Sequence, residues 1–120
     1  MQQYFGFGLN IESEIEFPEL LQNSFVLADV TISVGDLSRQ EAIVIESRDD
    51  EFFFAVKGVA RYFASQGNCM IIDPENKNVD PRSIRLYALA TVMAAILLQR
   101  QIIPFHASAI SVANKLILIS

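Results

Sequence analysis

The feature that most constrains this chain is a long stretch without a helix-breaking residue, which follows Asp80-Pro81 and continues to Pro104. Aspartate caps helices well, because its carboxylate accepts a backbone N–H of the first turn. Proline suits the first helical position, where its missing N–H donor is not needed. Apolar residues then recur at helical spacing, so the sequence predicts one long buried helix over about 81–101. The stripe predicted to be buried comprises Leu86, Leu89, Ala90, Met93, Ala94 and Leu97, and it is widened by Val92, Ala95 and Ile96.

Upstream of the helix, residues 3–17 carry an alternating pattern near their end. The positions expected on the buried side are Ile11, Ser13, Ile15 and Phe17. Alternation with a period of two predicts a strand with one buried face. The glutamates at positions 12, 14 and 16 lie on the other face. They have two interpretations: an acidic docking surface for a basic partner, or the solvated face of a sheet whose edge is protected by charge.

Shorter strand-like segments follow, separated by turn residues. The segments predicted as strands are residues 24–34, 42–46, 52–56, 59–64 and 69–72. In the first of them, Val26, Ala28, Val30, Ile32 and Val34 are predicted to share a buried face. Short strands at this spacing indicate an antiparallel meander. Residues 105–112 and 115–119 predict a C-terminal hairpin. The predicted fold class is α+β, a mostly antiparallel sheet with one long helix and this hairpin, in a single domain or partial domain over residues 1–120.

The charge is divided unevenly along the chain, although the net charge is only −5. Residues 1–60 hold eleven acidic and three basic side chains, and residues 61–120 hold three acidic and six basic ones, so the halves carry −8 and +3. The sequence has no cluster of lysine and arginine, which nucleic-acid-binding proteins use to neutralise phosphates. Nucleic acid is therefore excluded as a partner.

Other sequence features favour a soluble, cytoplasmic protein. The N-terminal residues lack the basic segment and apolar core of a secretory signal. The longest uncharged apolar run, Leu86–Leu98, has thirteen residues and is broken only by Thr91. A membrane-spanning helix needs about 20 residues, so no membrane is expected as a partner. The single cysteine, Cys69, excludes an internal disulfide and is interpreted as a small buried apolar residue.

Motifs for metal or covalent chemistry are not found in the sequence. The pattern FGFG at residues 5–8 lacks the third glycine of a dinucleotide-binding loop and precedes a strand rather than a helix. His106 and Cys69 cannot by themselves supply the four ligands of a zinc site. Ser108 follows His106 by two residues, but no acidic residue lies nearby in sequence to orient the imidazole. From the residues alone, a structural and a catalytic role for His106 both remain open.

Three segments within residues 56–120 resemble a known family. They are VKGVARYFASQGNCMIIDPE, DPRSIRLYALATVMAAILLQRQIIPFHASAI and KLILIS. Their order and spacing resemble the region that precedes the phosphate-binding loop in kinases related to HPr kinase/phosphatase. The similarity is greatest to the smaller relatives in bacterial peptide-modification gene clusters, including lasso-peptide kinases. It covers about half of the chain well and the N-terminal residues only loosely.

The resemblance implies an ATP-dependent serine kinase that acts on a peptide or protein and uses ATP and Mg²⁺ in the complete family member. It makes His106 a candidate catalytic residue, because the family places a histidine at the corresponding distance ahead of its first loop glycine. Ala107 departs from the glycine of HPr kinases proper, which weakens the transfer of HPr as the substrate. The apolar strand ending at Ser120 is expected to lead into a loop of the type GxSGxGK[ST].

Two functions follow from these features. In the first, residues 1–120 are the N-terminal portion of such a kinase, with a role in substrate recognition or scaffolding. This portion is expected to be inactive alone and to bind no cofactor, because the loop lysine, the Ser/Thr ligand for Mg²⁺ and the acidic residue for the substrate hydroxyl are missing. In the second, the chain is a stand-alone, non-catalytic module whose acidic half binds a basic peptide.

An exposed C-terminal strand would also recruit a second copy, so a homo-oligomer through this strand is expected.

Overall fold

An eight-stranded sheet with a long helix on one face makes up the described part of the chain. The computed structural model describes residues 1–37 and 50–102 and, for residues 45–47, the backbone alone. The strands are β1 Gln2–Gly6, β2 Leu9–Ser13, β3 Leu21–Gln22, β4 Val30–Val34, β5 Ile45–Ser47, β6 Glu51–Val56, β7 Ala60–Ser65 and β8 Cys69–Pro74. The long helix, Pro81–Gln99, consists of α1 Pro81–Tyr87, a π-helical turn Ala88–Val92 and α2 Met93–Gln99.

The strand order in this sheet is β3-β1-β2-β4-β8-β7-β6-β5. Strands β5 to β8 form the antiparallel meander that the sequence predicts. Strand β4 is different, because it lies between β2 and β8 and is parallel to both. The sheet is therefore mostly antiparallel with a parallel centre, and the predicted α+β fold class is confirmed.

The N-terminal part of the chain differs from the sequence prediction in two respects. Residues 3–17 do not form one strand, because the chain reverses at Phe7-Gly8 and pairs β1 with β2. Both turn residues have positive φ angles, 57° and 77°, as a two-residue hairpin turn of this kind requires. Strand β4 begins only at Val30, so Val26 and Ala28 are exposed instead of lying on the buried face of a strand.

The helix begins where the sequence predicts. The Asp80 carboxylate accepts the backbone N–H of Arg82 at 3.0 Å, and Pro81 occupies the first helical position. Tyr62 on β7 holds the helix against the sheet, since its hydroxyl donates to the Ile84 carbonyl at 2.8 Å. Burial raises the pKa of the Tyr62 hydroxyl, which keeps this group a neutral donor. These contacts fix the side of the helix that faces the sheet.

The buried stripe of the helix differs from the predicted stripe in its first half. The buried residues are Ile84, Ala88, Val92, Met93, Ile96 and Leu97. Met93 and Leu97 are therefore correctly predicted, as are Val92 and Ile96 beside the stripe, whereas Leu86 and Ala90 are exposed. Apolar residues occur on all sides of this helix, so helical periodicity alone does not select the side that faces the sheet. The π-helical turn also contains more residues per turn than an α-helix and changes the projection of the residues after it.

The core lies between the helix and one face of the sheet. The sheet residues that fill it are Tyr4, Leu9, Ile11, Val30, Ile32, Ala60, Tyr62, Ala64, Met70 and Ile72. Phe17 joins them from the loop after β2. Ser13 is buried on the same side, and its hydroxyl donates to the Ile15 carbonyl at 2.7 Å and accepts the Ile15 N–H at 2.9 Å. The predicted buried face of β2 is thus confirmed.

Some sequence predictions concern residues outside those that the structure describes. They are the C-terminal hairpin over 105–119 with the oligomer expected through it, the catalytic candidate His106, and most of the strand predicted at 42–46. Of the segment 42–46, the backbone of Ile45 and Glu46 belongs to β5, which pairs with β6. The hairpin, the oligomer and the catalytic role of His106 stay predictions.

Candidate functional site

The side of the long helix that faces away from the sheet is apolar and exposed. Leu86 and Leu98 have exposed fractions of 59% and 60%, and Ala90 lies exposed between them. Together with half-buried Ala94, these residues follow a spacing of four along the helix. We term Leu86, Ala90, Ala94 and Leu98 the outer helix face. Such a face is unusual for a helix on the surface of a soluble protein, where the solvent side is normally polar or charged.

A groove of about 570 Å³ opens at the N-terminal end of the outer helix face. The residues that line it are Glu19, Asp80, Arg82, Ser83, Leu86, Leu89 and Ala90. The apolar lining comes from the helix, and the polar lining comes from the start of the helix and the loop after β2. Arg85 beside the groove is the only charged residue between positions 83 and 99. The groove therefore combines an apolar wall, formed by the helix, with an end at which three of the seven lining residues are charged.

Glu19 and Arg85 join the loop after β2 to the helix beside this groove. The Nε of Arg85 donates to both carboxylate oxygens of Glu19, at 3.0 and 2.9 Å. This hydrogen bond is the main reason that the pKa of Glu19 is lowered from its ordinary value. The Glu19 side chain is 44% exposed, so solvent screens the pair and limits its contribution to stability.

Glu19→Gln is expected to reduce the free energy of unfolding at neutral pH by about 0.5 kcal/mol. Because the folded-state pKa of Glu19 is lowered, the pair stabilises the fold fully above the ordinary glutamate pKa. This contribution is lost as the pH falls through the lowered value. Urea unfolding of both proteins should therefore show a difference at neutral pH that disappears in acid. A difference that persists unchanged in acid would contradict the assignment to this carboxylate.

The groove lining and its surroundings contain few of the groups that metal or covalent catalysis uses. Within residues 1–37 and 50–102, no three His, Cys, Asp or Glu side chains come together to hold a metal ion. The groove lining contains one hydroxyl, that of Ser83, and neither histidine nor cysteine. A serine nucleophile needs an adjacent general base, and the lining offers only the carboxylates of Asp80 and Glu19. Of these, Asp80 is engaged as the helix cap and Glu19 in the arginine pair.

The residues that the sequence singled out are not brought together in the described structure. Cys69 is the first residue of β8 and is half-buried, so its interpretation as a buried residue is corrected. Glu14 accepts the N–H of Val34, the last residue of β4, at 2.7 Å. Glu14 therefore has a structural role, which favours the sheet-face interpretation for this glutamate. His106 lies outside the described residues.

Comparisons with known proteins do not assign this chain to a family. No protein-family model, no curated protein and no solved structure matches it. The resemblance to HPr-kinase-like proteins therefore stays a prediction, and function has to be inferred from the surfaces of the fold.

The long helix has the length and apolarity of a membrane-spanning segment, with 19 residues over Pro81–Gln99. The sequence analysis considered only the shorter run within it. In this fold one side of the helix is buried against the sheet, as for Val92 and Ile96, which are completely covered. Core helices of soluble proteins pass the same test of length and composition. The compact globule formed by the described residues is therefore that of a soluble protein.

Sequence reasoning missed an exposed connection between β3 and β4, residues 23–29, which we term the strap. Gln3 and Asn10 lie on the face of the sheet opposite to the helix, because they alternate with core residues along β1 and β2. The amide of Asn23 donates to the Asn10 side chain at 3.1 Å, and the Asp29 N–H donates to the Asn10 carbonyl at 2.8 Å. Gln3 donates to the Phe25 carbonyl at 3.4 Å. The strap therefore crosses the sheet on the face away from the helix.

Proposed function

We propose that this chain is the sheet-forming, substrate-recognising part of an HPr-kinase-like, ATP-dependent serine kinase. The observation that supports this most directly is the outer helix face, where Leu86 and Leu98 remain mostly exposed. A helix that is apolar on all sides is typical of the interior of a larger protein, in which a second layer covers it. We assign that layer to the part of the kinase that carries the phosphate-binding loop.

Covering the outer helix face would stabilise an assembly of the two parts. Complete burial of a leucine side chain contributes about 1.5–3 kcal/mol. Leu86 and Leu98 have more than half of their surface left to bury. Together they would contribute about 2–3 kcal/mol, from which the cost of association is subtracted. The groove beside Leu89 gives the partner a recess in which to place an apolar side chain.

The chemical groups are divided between the two parts in this proposal. His106 is the catalytic candidate that this chain supplies, by resemblance. Mg-ATP does not fit the described residues, which hold no acidic cluster for the metal, and the 120-residue sequence has no glycine-rich loop with a lysine. The chain alone is therefore expected to be inactive, because phosphoryl transfer depends on groups that neutralise the transferred phosphate. We place the kinase in the cytoplasm, which holds ATP and keeps thiols such as Cys69 reduced.

The test is to combine this chain with a phosphate-binding part from an HPr-kinase-like protein and to measure phosphate transfer from ATP to a serine-containing peptide. We expect transfer by the combined protein, none by the 120-residue chain, and loss of transfer in the His106→Ala variant. The double variant Leu86→Asp, Leu98→Asp should weaken the association of the two separately added parts by at least about tenfold, equivalent to about 1.4 kcal/mol.

Val26→Asp, Leu27→Asp serves as the matched control, because both are exposed aliphatic residues of the strap, which crosses the face of the sheet away from the helix. It should leave the association unchanged. Circular dichroism and urea unfolding establish that the aspartate variants are folded, as expected for residues outside the core. The proposal is contradicted if the 120-residue chain alone binds Mg-ATP, or if the folded Leu86→Asp, Leu98→Asp variant associates as tightly as the original chain.

A further inference from the structure

A second apolar surface lies on the face of the sheet that carries the strap. Val26 and Leu27, near the middle of the strap, are 97% and 79% exposed, more than any other large apolar side chain that the structure describes. Leu21 is 73% exposed, and Phe5, its register partner on β1, is 42% exposed. We term Phe5, Leu21, Val26 and Leu27 the outer patch. Exposed apolar surface of this kind marks interaction sites in soluble proteins.

The strap holds these side chains out from an anchored backbone. Asn23 at one end donates its N–H to the Gln3 carbonyl at 3.2 Å. At the other end, two hydrogen bonds join Asn10 and Asp29. The Asn10 N–H donates to the Asp29 carboxylate at 2.8 Å, and the Asp29 N–H donates to the Asn10 carbonyl, also at 2.8 Å. Val26 and Leu27 are therefore presented between two fixed points. A surface that is ordered in advance loses less conformational entropy when it binds a partner.

The charges around the outer patch indicate the chemistry of the partner. Residues 1–37 contain six acidic side chains and no lysine, arginine or histidine. Two of these acids pair with arginines of the helical region. Glu12, the register partner of Gln3, lies on the same face as the strap and has no ion-pair partner among the described residues. The local potential is thus negative, which attracts a basic segment and repels nucleic acids and anionic membrane surfaces.

We infer that the outer patch is a docking surface for a basic peptide segment with aliphatic side chains. Leu21 belongs to β3, which is a two-residue strand at the edge of the sheet. An extended peptide pairs with such an edge and places alternate side chains against one face. Docking at this surface requires neither a nucleotide nor the outer helix face, so the inference goes beyond the proposed kinase and does not depend on it. It places the second function predicted from the sequence, binding of a basic peptide, at a defined surface of the fold.

The experiment measures binding of fluorescein-labelled peptides to the full 120-residue chain by fluorescence anisotropy. The probe is a short peptide of alternating lysine and leucine, and the comparison peptides replace lysine by glutamate or leucine by serine. We expect the lysine–leucine peptide to bind most tightly and to bind more weakly as salt is added. The double variant Val26→Ser, Leu27→Ser should lower the affinity for this peptide at least about tenfold.

The matched control is Leu86→Ser, Leu98→Ser, which removes two aliphatic side chains, 59% and 60% exposed, from the other side of the molecule. It should bind the peptide like the original chain. Equal binding of the glutamate–leucine peptide, or equal losses in the two double variants, would overturn the inference. So would sedimentation data in which the original chain is a dimer and the Val26→Ser, Leu27→Ser variant a monomer, because the outer patch would then be a self-association surface.

Discussion

Replacing Phe17 with alanine is expected to lower the free energy of unfolding by about 3–5 kcal/mol. Phe17 is completely buried, although it lies in the loop after β2 and not in a strand. Its ring packs edge-on against Tyr4, with the ring centroids 6.3 Å apart. Its backbone N–H donates to the Tyr4 hydroxyl at 2.9 Å. Removal of the ring leaves a cavity under the first hairpin, and urea unfolding followed by circular dichroism measures the cost.

Two further variants separate the contributions at this site. Phe5→Ala removes the same ring from a position that is 42% exposed, and we expect it to cost about 1 kcal/mol or less. Tyr4→Phe keeps the packing but removes the hydroxyl that accepts the Phe17 N–H, which leaves a buried donor unpaired at a cost of about 1–3 kcal/mol. If Phe17→Ala proves no more damaging than Phe5→Ala, the loop after β2 is not part of the core.

The parts of this fold that the sequence predicts are those with local causes. The helix start depends on Asp80 and Pro81, which are adjacent in sequence, and the Asp80 cap bonds a residue two positions away. The meander of β5 to β8 depends on turns such as Gln66-Gly67, where both residues have positive φ and Asn68 donates to Ser65 at 3.1 Å. Each signal is complete within a few residues, so it can be recognised without knowledge of the rest of the chain.

The central strand and the strap could not be predicted in the same way. Residues 24–34 alternate regularly, which predicts one strand. The structure begins β4 only after Asp29, where the Asp29 N–H and carboxylate bond the backbone of Asn10. That partner is 19 positions away, so its effect on Val26 and Ala28 is not visible in a local pattern. Asn23 and Asp29 were the available signals, because asparagine and aspartate favour turns.

The outer helix face was missed for a different reason. Apolar residues surround the helix, so the pattern contains no polar side from which to infer the orientation. The orientation is set by tertiary contacts, of which the bond from Tyr62 to the Ile84 carbonyl is one. Once Ile84 faces the sheet, Leu86 points away from it and becomes available to a partner. The sequence thus predicted the helix correctly but assigned part of the candidate site to the core.

The fold consequently separates two candidate surfaces by the thickness of the sheet. The outer helix face is apolar and almost uncharged, as expected for a lasting interface within a larger protein. The outer patch is small and lies in an acidic region, as expected for a transient contact with a charged peptide. This difference in chemistry is the reason for testing the surfaces with separate double variants, since a general loss of solubility or folding would affect both assays.

Gly67→Ala is expected to destabilise the fold by about 3 kcal/mol, because two costs combine at this position. Gly67 has a φ of +67°, and alanine in that region costs about 1–2 kcal/mol. The added Cβ would also lie 2.6 Å from Cγ of Arg100, at the end of the helix. Arg100 must then move, and it loses a hydrogen bond to the Gly67 carbonyl that is 2.8 Å long, at a cost of about 1–2 kcal/mol.

The Gly67→Ala substitution also affects regions beyond the turn, because Arg100 contacts several of them. Its Nη1 also donates to the Asp29 carbonyl at 3.4 Å, so the same guanidinium connects the helix end, the β7–β8 turn and the end of the strap. Gly58→Ala separates the two costs, because Gly58 has a φ of +81° and an added Cβ there meets nothing within 4 Å. In urea unfolding we expect Gly58→Ala to cost about 1–2 kcal/mol, the backbone cost alone. The remaining loss in Gly67→Ala then measures the displacement of Arg100. Equal losses would mean that Arg100 adapts freely and does not hold the strap to the helix.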